Sequence, residues 1–323
     1  MMPDLHLLDM KDWGSEPNRK GFGRGLVKAG DGDNNVVALC ADLTSSVQIT
    51  PFAEKYPERF VQVGVAEQNL VTVASGMAAM GKIPFTASYA AFSPGRNWEQ
   101  IKTTAALNNM PVKIIGAHAG LYTGPDGATH QMLEDIALMR AMPNMVVMAP
   151  ADSVEAEKMT IAMAKDKRPN YMRLARDPLP VMTTDKTPFE IGKAYVFCPG
   201  QDITIIATGT MTSVAMEAAD KLFHDGIDAE VIHVPTIKPL DGATILASVK
   251  RTKKVITIEE AQIAGGLGGA ITELLSEHFP VPVIRMGVKD VYGQSGTPKE
   301  LLEHYGLTSK HVVLQAHHLM EQK

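Results

Sequence analysis

The sequence predicts an α/β fold of two three-layer α/β/α domains. Three observations carry the expectation. Short apolar runs alternate with stretches of helical length. That pattern implies βαβ crossovers and mostly parallel sheets. The chain has 323 residues, too many for one average domain and comfortable for two. A run with three prolines and no apolar period, residues 177–188, interrupts the alternation and is expected to link residues 1–182 to residues 183–323.

The elements follow in order. Residues 36–40 (VVALC) form an apolar run suited to a strand buried on both faces. Similar runs stand at 60–63, 83–87, 112–116, 145–148 and 171–174, with helix-like stretches at 67–80, 98–107, 131–142 and 153–164. After the break, strands are expected at 203–207, 229–234, 254–259 and 283–286. Helices are expected at 213–224, 244–250, 268–279 and 298–305, followed by a helical or frayed tail from 311.

Composition excludes several classes. Hydrophobic residues make up 45% and charged residues 21%, an ordinary globular balance, and the net charge is −5. No dense Lys/Arg stripe suggests a nucleic-acid surface. Two cysteines, Cys40 and Cys198, cannot build a disulfide framework, which points to a reducing cytoplasm. Asp4, Asp9, Asp12 and Glu16 punctuate an N-terminus without a long apolar run, so neither a signal peptide nor a membrane helix is expected.

Several groups could carry chemistry. Glu67 follows an apolar run, at the start of a predicted helix, where a carboxylate also simply complements the macrodipole. Tyr89 and Phe92 follow the strand at 83–87, a common place for core aromatics. His118, Asp126 and His130 lie in the Gly- and Pro-containing run 115–131, a loop after a strand, where α/β sheets place binding groups. Their spacing offers no convincing zinc set, so no metal ligand is assigned. Asp42 and Ser46 lie in a polar cluster that could merely cap a helix. Arg176 closes the last strand of the first unit, and Arg19 follows Pro17 near the N-terminus; both are also ordinary surface charges. Two glycine runs are set aside. Gly30-Asp31-Gly32 reads as a turn. Gly265-Gly-Leu-Gly-Gly269 opens a helix, but its spacing differs from the dinucleotide pattern.

Phe60-Val-Gln-Val-Gly-Val-Ala-Glu67-Gln68-Asn69 and Gly124-Pro-Asp126-Gly-Ala-Thr-His130-Gln131 together resemble the pyrimidine-binding half of thiamine-diphosphate enzymes, and transketolase in particular. The resemblance covers nearly the whole chain. It is specific over residues 36–176 and general afterwards. It implies a pyrimidine-binding domain followed by a transketolase C-terminal domain. It also implies that Glu67 hydrogen-bonds the aminopyrimidine of thiamine diphosphate and so helps deprotonate the thiazolium. Phe92 and Tyr89 would wall that ring, and Asp42 would lie near it. Asp126, His118 and His130 would hold sugar oxygens and help move protons, while Arg176, Ser46 and Arg19 would meet a sugar phosphate.

Nothing in the chain resembles the domain that binds Mg²⁺ and the diphosphate. The resemblance therefore implies a split transketolase of the pentose phosphate pathway. This chain would be the C-terminal subunit, and an N-terminal subunit would hold Mg²⁺ in an α2β2 heterotetramer. A two-carbon ketol unit would pass between sugar phosphates. The alternatives are a deoxyxylulose-phosphate synthase-like enzyme, a ketoacid dehydrogenase E1 β-like subunit, a non-catalytic partner-binding module and, on the second glycine run alone, a nicotinamide oxidoreductase.

Overall fold

The computed structural model describes residues 5–321; Asp4 lies outside them. The first unit contains β1 (Gly14–Glu16), α1 (Asn18–Gly32), β2 (Val36–Cys40), α2 (Thr50–Lys55), β3 (Phe60–Gln62), α3 (Glu67–Ala79) and β4 (Ile83–Tyr89). It continues with α4 (Trp98–Gln100), β5 (Lys113–Ala117), α5 (Asp135–Arg140), β6 (Val146–Met148), α6 (Ser153–Lys165), β7 (Asn170–Arg173) and β8 (Leu179–Val181). The second unit contains β9 (Tyr195–Cys198), β10 (Ile203–Ala207), α7 (Met211–His224), β11 (Ala229–His233), β12 (Thr236–Lys238) and α8 (Gly242–Thr252). It ends with β13 (Val255–Gln262), α9 (Leu267–His278), β14 (Val283–Val288), α10 (Pro298–His304) and α11 (Ser309–Glu321).

Alternation along the strands builds the layers, because successive side chains point to opposite faces. In β2, Val36, Ala38 and Cys40 face one apolar cluster with Phe22 and Leu26 of α1 and Met159 and Met163 of α6. Val37 and Leu39 face another with Leu70 and Val71 of α3 and Ile136 of α5. Helices thus cover both faces of the first sheet. The second sheet is covered in the same way. Ile203 and Ile205 meet Val214 of α7 and Val312 of α11, whereas Ile206 clusters with Ile245 of α8 and Ile271 of α9. Fully burying one such side chain contributes about 1.5–3 kcal/mol.

The first sheet has the order β12-β6-β7-β5-β4-β2-β3, and the second β14-β13-β10-β11-β9. Strands β2, β4, β5 and β7 are parallel neighbours, so the loops that leave them open at one sheet edge. Among the described residues, strand pairing crosses the division into two units once. β12 belongs to the second stretch of chain but pairs antiparallel with β6 of the first sheet.

Several sequence expectations are corrected. Gly30-Asp31-Gly32 is the last turn of α1 rather than a turn before the first strand. Helix α1 was hidden by its glycines, which are weak helix formers. Here they permit contact: a Cβ on Gly21 would stand 1.8 Å from the Ser153 carbonyl oxygen. The helix expected at 131–142 shrinks to Asp135–Arg140, because the preceding residues form turns and an isolated bridge between Ala119 and Met132. The helix expected at 98–107 begins as α and continues as a π-helical stretch, Ile101–Ala106. The proline-rich linker contains β8, which pairs with β1. Among the described residues, no helix is long and apolar enough to cross a membrane.

A buried ionic network joins the units. Arg173 Nε donates to Asp135 Oδ2 at 3.0 Å, and its Nη1 lies 3.3 Å from Glu260 Oε1 on β13. Its Nη2 donates to the Glu260 and Met132 carbonyls at 3.1 and 3.3 Å. Tyr171 Oη donates to Asp135 Oδ2 at 2.6 Å. Burial alone would lower the guanidinium's pKa, but Asp135 and Glu260 raise it above the ordinary arginine value. Arg173→Met would strand two buried carboxylates. It is expected to lower the unfolding free energy by about 3–5 kcal/mol in urea titrations. A loss below about 1 kcal/mol would remove the network from the stability of the fold.

Candidate active site

Glu67 is the first residue of α3. The chain reaches it through Gly64, whose φ of 73° turns the backbone between β3 and the helix. The side chain is 2% exposed, and its Oε2 accepts a 2.9 Å hydrogen bond from Arg96 Nη1. The loop after β4 wraps this corner. Asn97 Nδ2 donates to the Glu67 carbonyl at 2.7 Å and to Ser93 Oγ at 3.1 Å. The Arg96 guanidinium also lies 5.7 Å from the Phe92 ring centroid. Arg96 therefore ties the carboxylate to the aromatic wall, and Asn97 ties the Glu67 backbone to the loop after β4. Neither was singled out in the sequence, although both lie within five residues of Phe92.

Tyr89, Phe92, His118 and His130 form one ring cluster. Tyr89 stacks on His118 at 3.9 Å between centroids and on Phe92 at 5.9 Å. His130 meets Phe92 edge-on at 5.5 Å. The end of β4 and the loops after β4 and β5 supply these rings, and the two strands are in register with Tyr89 opposite Ala117. His118 has a positive φ of 53° and is 3% exposed. Its Nδ1 is buried without a hydrogen-bond partner. Burial, followed by the charges of Arg19 and Arg176, pushes its pKa down to about 3. The imidazole is thus neutral at ordinary pH and keeps one donor and one acceptor. His130 Nδ1 lies 2.9 Å from Thr129 Oγ1, leaving Nε2 for another partner.

Two arginines stand beside the cluster. Arg19 donates to the Ser46 carbonyl at 2.7 Å and to the Arg176 carbonyl at 3.1 Å. Arg176 donates to the Thr123 carbonyl at 3.1 Å and faces Asp126 Oδ1 at 3.5 Å. Burial lowers the Arg19 pKa; Tyr89 opposes that effect and Arg176 adds to it. The expected phosphate-facing residues therefore do come together, but Ser46 enters through its carbonyl rather than its hydroxyl. Asp42 is less connected. It is exposed, its backbone N–H is held by Gln62 Oε1 at 2.7 Å, and no hydrogen bond or ion pair of its side chain reaches the cluster.

The second unit braces this site. Gln131 Nε2 donates to the Gly124 and Gln294 carbonyls, both at 2.9 Å. Glu260 Oε2 accepts the Tyr122 N–H at 3.1 Å. Burial raises the Glu260 pKa to about 7, against the pull of Arg173. The glycine run at 265–269 has a local role as well. Glu259 accepts the N–H groups of Leu267 and Gly268 at 2.7 and 2.8 Å, so its own carboxylate caps α9. Among the described residues, no group of three His, Cys, Asp or Glu side chains is arranged to hold a metal ion.

The donor set suits the aminopyrimidine end of thiamine diphosphate. A buried carboxylate borders stacked aromatic faces, and beside them an imidazole nitrogen is left unpaired.

Residues 17–182 match the family described as transketolase, pyrimidine binding domain, and residues 192–312 match transketolase, C-terminal domain. A protein of Methanocaldococcus jannaschii described as a transketolase C-terminal section is 42% identical over 308 residues, covering 94% of this chain and 95% of that one. A 6-deoxy-6-sulfo-D-fructose transketolase subunit of a Clostridium species is 40% identical, covering 92% of each chain. Among solved structures, a split gene transketolase described as an inactive β4 tetramer has 41% identity. It superimposes with a TM-score of 0.89, covering 94% of this chain and 98% of that chain.

The buried imidazole has a measurable consequence. In the unfolded chain His118 titrates near 6.5, whereas in the folded chain it resists protonation down to about 3. Its contribution to stability is complete above pH 6.5 and is lost as pH falls through that window. Between pH 7 and pH 5 the wild type should lose about 2 kcal/mol more stability than His118→Asn, read by denaturant titration of the isolated chain. Parallel losses in the two proteins would show that His118 is freely protonated.

Proposed function

The chain belongs to the transketolase family, and from that premise we propose that it is the C-terminal subunit of a split, thiamine-diphosphate-dependent transketolase. The observation that carries this reading is the meeting of buried Glu67, the Tyr89–Phe92 wall and the two histidines at one sheet edge. When bound, thiamine diphosphate supplies the nucleophilic carbon that carries a two-carbon ketol fragment from a ketose to an aldose.

The residues divide the remaining work. Glu67 has Oε2 committed to Arg96, which leaves Oε1 to hydrogen-bond the aminopyrimidine nitrogen. Tyr89 and Phe92 offer flat apolar faces that orient the ring and exclude water. His118 hydrogen-bonds a sugar oxygen as a neutral imidazole, and His130 uses Nε2 as donor or acceptor near the reacting carbons. Asp126, paired with Arg176, accepts from a sugar hydroxyl. Arg176 and Arg19 offer positive charge to the far anionic end of the substrate. That charge suits a phosphate. It also suits a sulfonate, the group named for the clostridial relative. Asp42 is retained only as an outlying contact to the cofactor.

A separate N-terminal subunit is assigned the diphosphate and Mg²⁺, in an α2β2 assembly. The surface beside Glu67 supports docking there. The outward side of α3 and its flanks exposes Val65 at 72%, Val73 at 40% and Met80 at 84%, and Gly76 between them faces open space.

The test uses the two-subunit complex with xylulose 5-phosphate as donor and ribose 5-phosphate as acceptor. The complex should transfer the ketol unit, and the lone chain should not. Turnover by the lone chain would defeat the split reading. Turnover with pyruvate in place of the ketose would favour the synthase or dehydrogenase alternatives. A sulfonated ketose tested alongside decides which anion the arginines prefer. In the complex, Glu67→Ala should lower kcat by about 10²-fold or more with its circular dichroism unchanged; retained turnover would take Glu67 out of the mechanism.

A further inference from the structure

The second unit does more than fill out the fold. We propose that Gln131 is a positioning residue through which the C-terminal domain fixes the turn carrying Asp126 and His130. The inference rests on the reading that these two residues hold the sugar.

Gln131 is 3% exposed and touches neither the ring cluster nor the arginines through any described hydrogen bond. Both protons of its amide are used. One goes to the Gly124 carbonyl at 2.9 Å, closing the turn on itself. The other goes to the Gln294 carbonyl at 2.9 Å, on the segment between β14 and α10. Residues 125–130, and with them Asp126 and His130, are enclosed between Gly124 and Gln131. The backbone completes the clamp, because the N–H groups of His130 and Gln131 both donate to the Gly127 carbonyl at 3.0 Å.

The opposite face of this turn is laid against the second unit. A Cβ on Gly293 would stand 1.8 Å from Gln131 Oε1, and one on Gly127 would stand 2.7 Å from Ser295 Oγ. A side chain at Gly293 would displace the Gln131 amide, and one at Gly127 would push Ser295 aside and strain a backbone whose φ is 75°. Gln131 Oε1 is itself buried without a partner. Flipping the amide would set its oxygen against two carbonyl oxygens, so the two donations fix its orientation. A glutamate of the same shape has no donor for either carbonyl when ionised.

The experiment has two arms. Hydrogen exchange is followed by mass spectrometry on the lone chain, wild type and Gln131→Met. The variant should exchange faster in residues 124–131 and 293–296, while residues 67–79 keep their wild-type rates. In the two-subunit complex, Gln131→Glu should raise KM for the donor ketose about tenfold, with thiamine diphosphate affinity within about twofold of wild type. Unchanged exchange in those segments would overturn the clamp. Faster exchange across the whole chain, with a lower Tm and an unmoved KM, would also overturn it, because a merely structural residue behaves that way. A wild-type complex that transfers no ketol unit would sink the sugar reading alone, and the exchange arm would still decide whether Gln131 pins the turn.

Discussion

One buried guanidinium sets the geometry on which the rest depends. Arg173 ends β7 and lies between Asp135 of the first unit and Glu260 of the second. Alone, such a charge would cost several kcal/mol to bury; between two carboxylates and two carbonyls it is fully engaged. The arrangement fixes distances that apolar packing would leave soft. The Met132 carbonyl is held to Arg173, and the Tyr122 N–H is held to Glu260. The loop leaving β5 is therefore fastened on both sides of its functional turn before any ligand arrives. Gly120 lies where this network passes, and a Cβ there would fall 2.2 Å from Glu260 Oε1.

Glu259 and Glu260 divide two tasks between the faces of β13. Glu260 turns toward Arg173, while Glu259 caps α9. Burial raises both to about pKa 7, because each lies in a low-dielectric corner where hydrogen bonds only partly offset desolvation. The functional groups of the first unit show the converse economy. His118 is kept neutral by burial and by nearby arginines, so the imidazole nearest Tyr89 adds polarity to the site without adding charge. The positive charge stays with Arg19 and Arg176.

Much of this was legible from local pattern. The strands at 36–40 and 203–207 are continuous apolar runs buried on both faces, and they lie where the runs placed them. Glu67 stood out because the motif around it resembles that of thiamine-diphosphate enzymes; its place at a helix start alone fits a macrodipole partner equally well. The segment 115–131 read as a loop because its Gly and Pro content disfavours a long regular element, and after β5 the structure gives it only the short 3-10 turn Leu121–Asp126. What escaped detection depends on tertiary contact. Helix α1 is glycine-rich because it lies against α6, and no local propensity reports that. Strand β12 has three residues, and its partner lies in the other unit. Arg96 and Gln131 were overlooked for the same reason. Each looks like a surface residue in sequence, and each gains its role only when a second loop closes over it.

The contribution of β12 to the first sheet bears on how the polypeptide emerges during synthesis. Strand β6 is finished roughly ninety residues before Thr236–Lys238 leaves the ribosome, a delay on the order of 5–20 s at ordinary elongation rates. For that interval the nascent domain carries an open margin of amides and carbonyls, the kind of border that recruits stray strands. Its own downstream segment then seals the margin. Closure of this margin of the first sheet thus waits for the late strand, and until then a chaperone has a defined edge to shield.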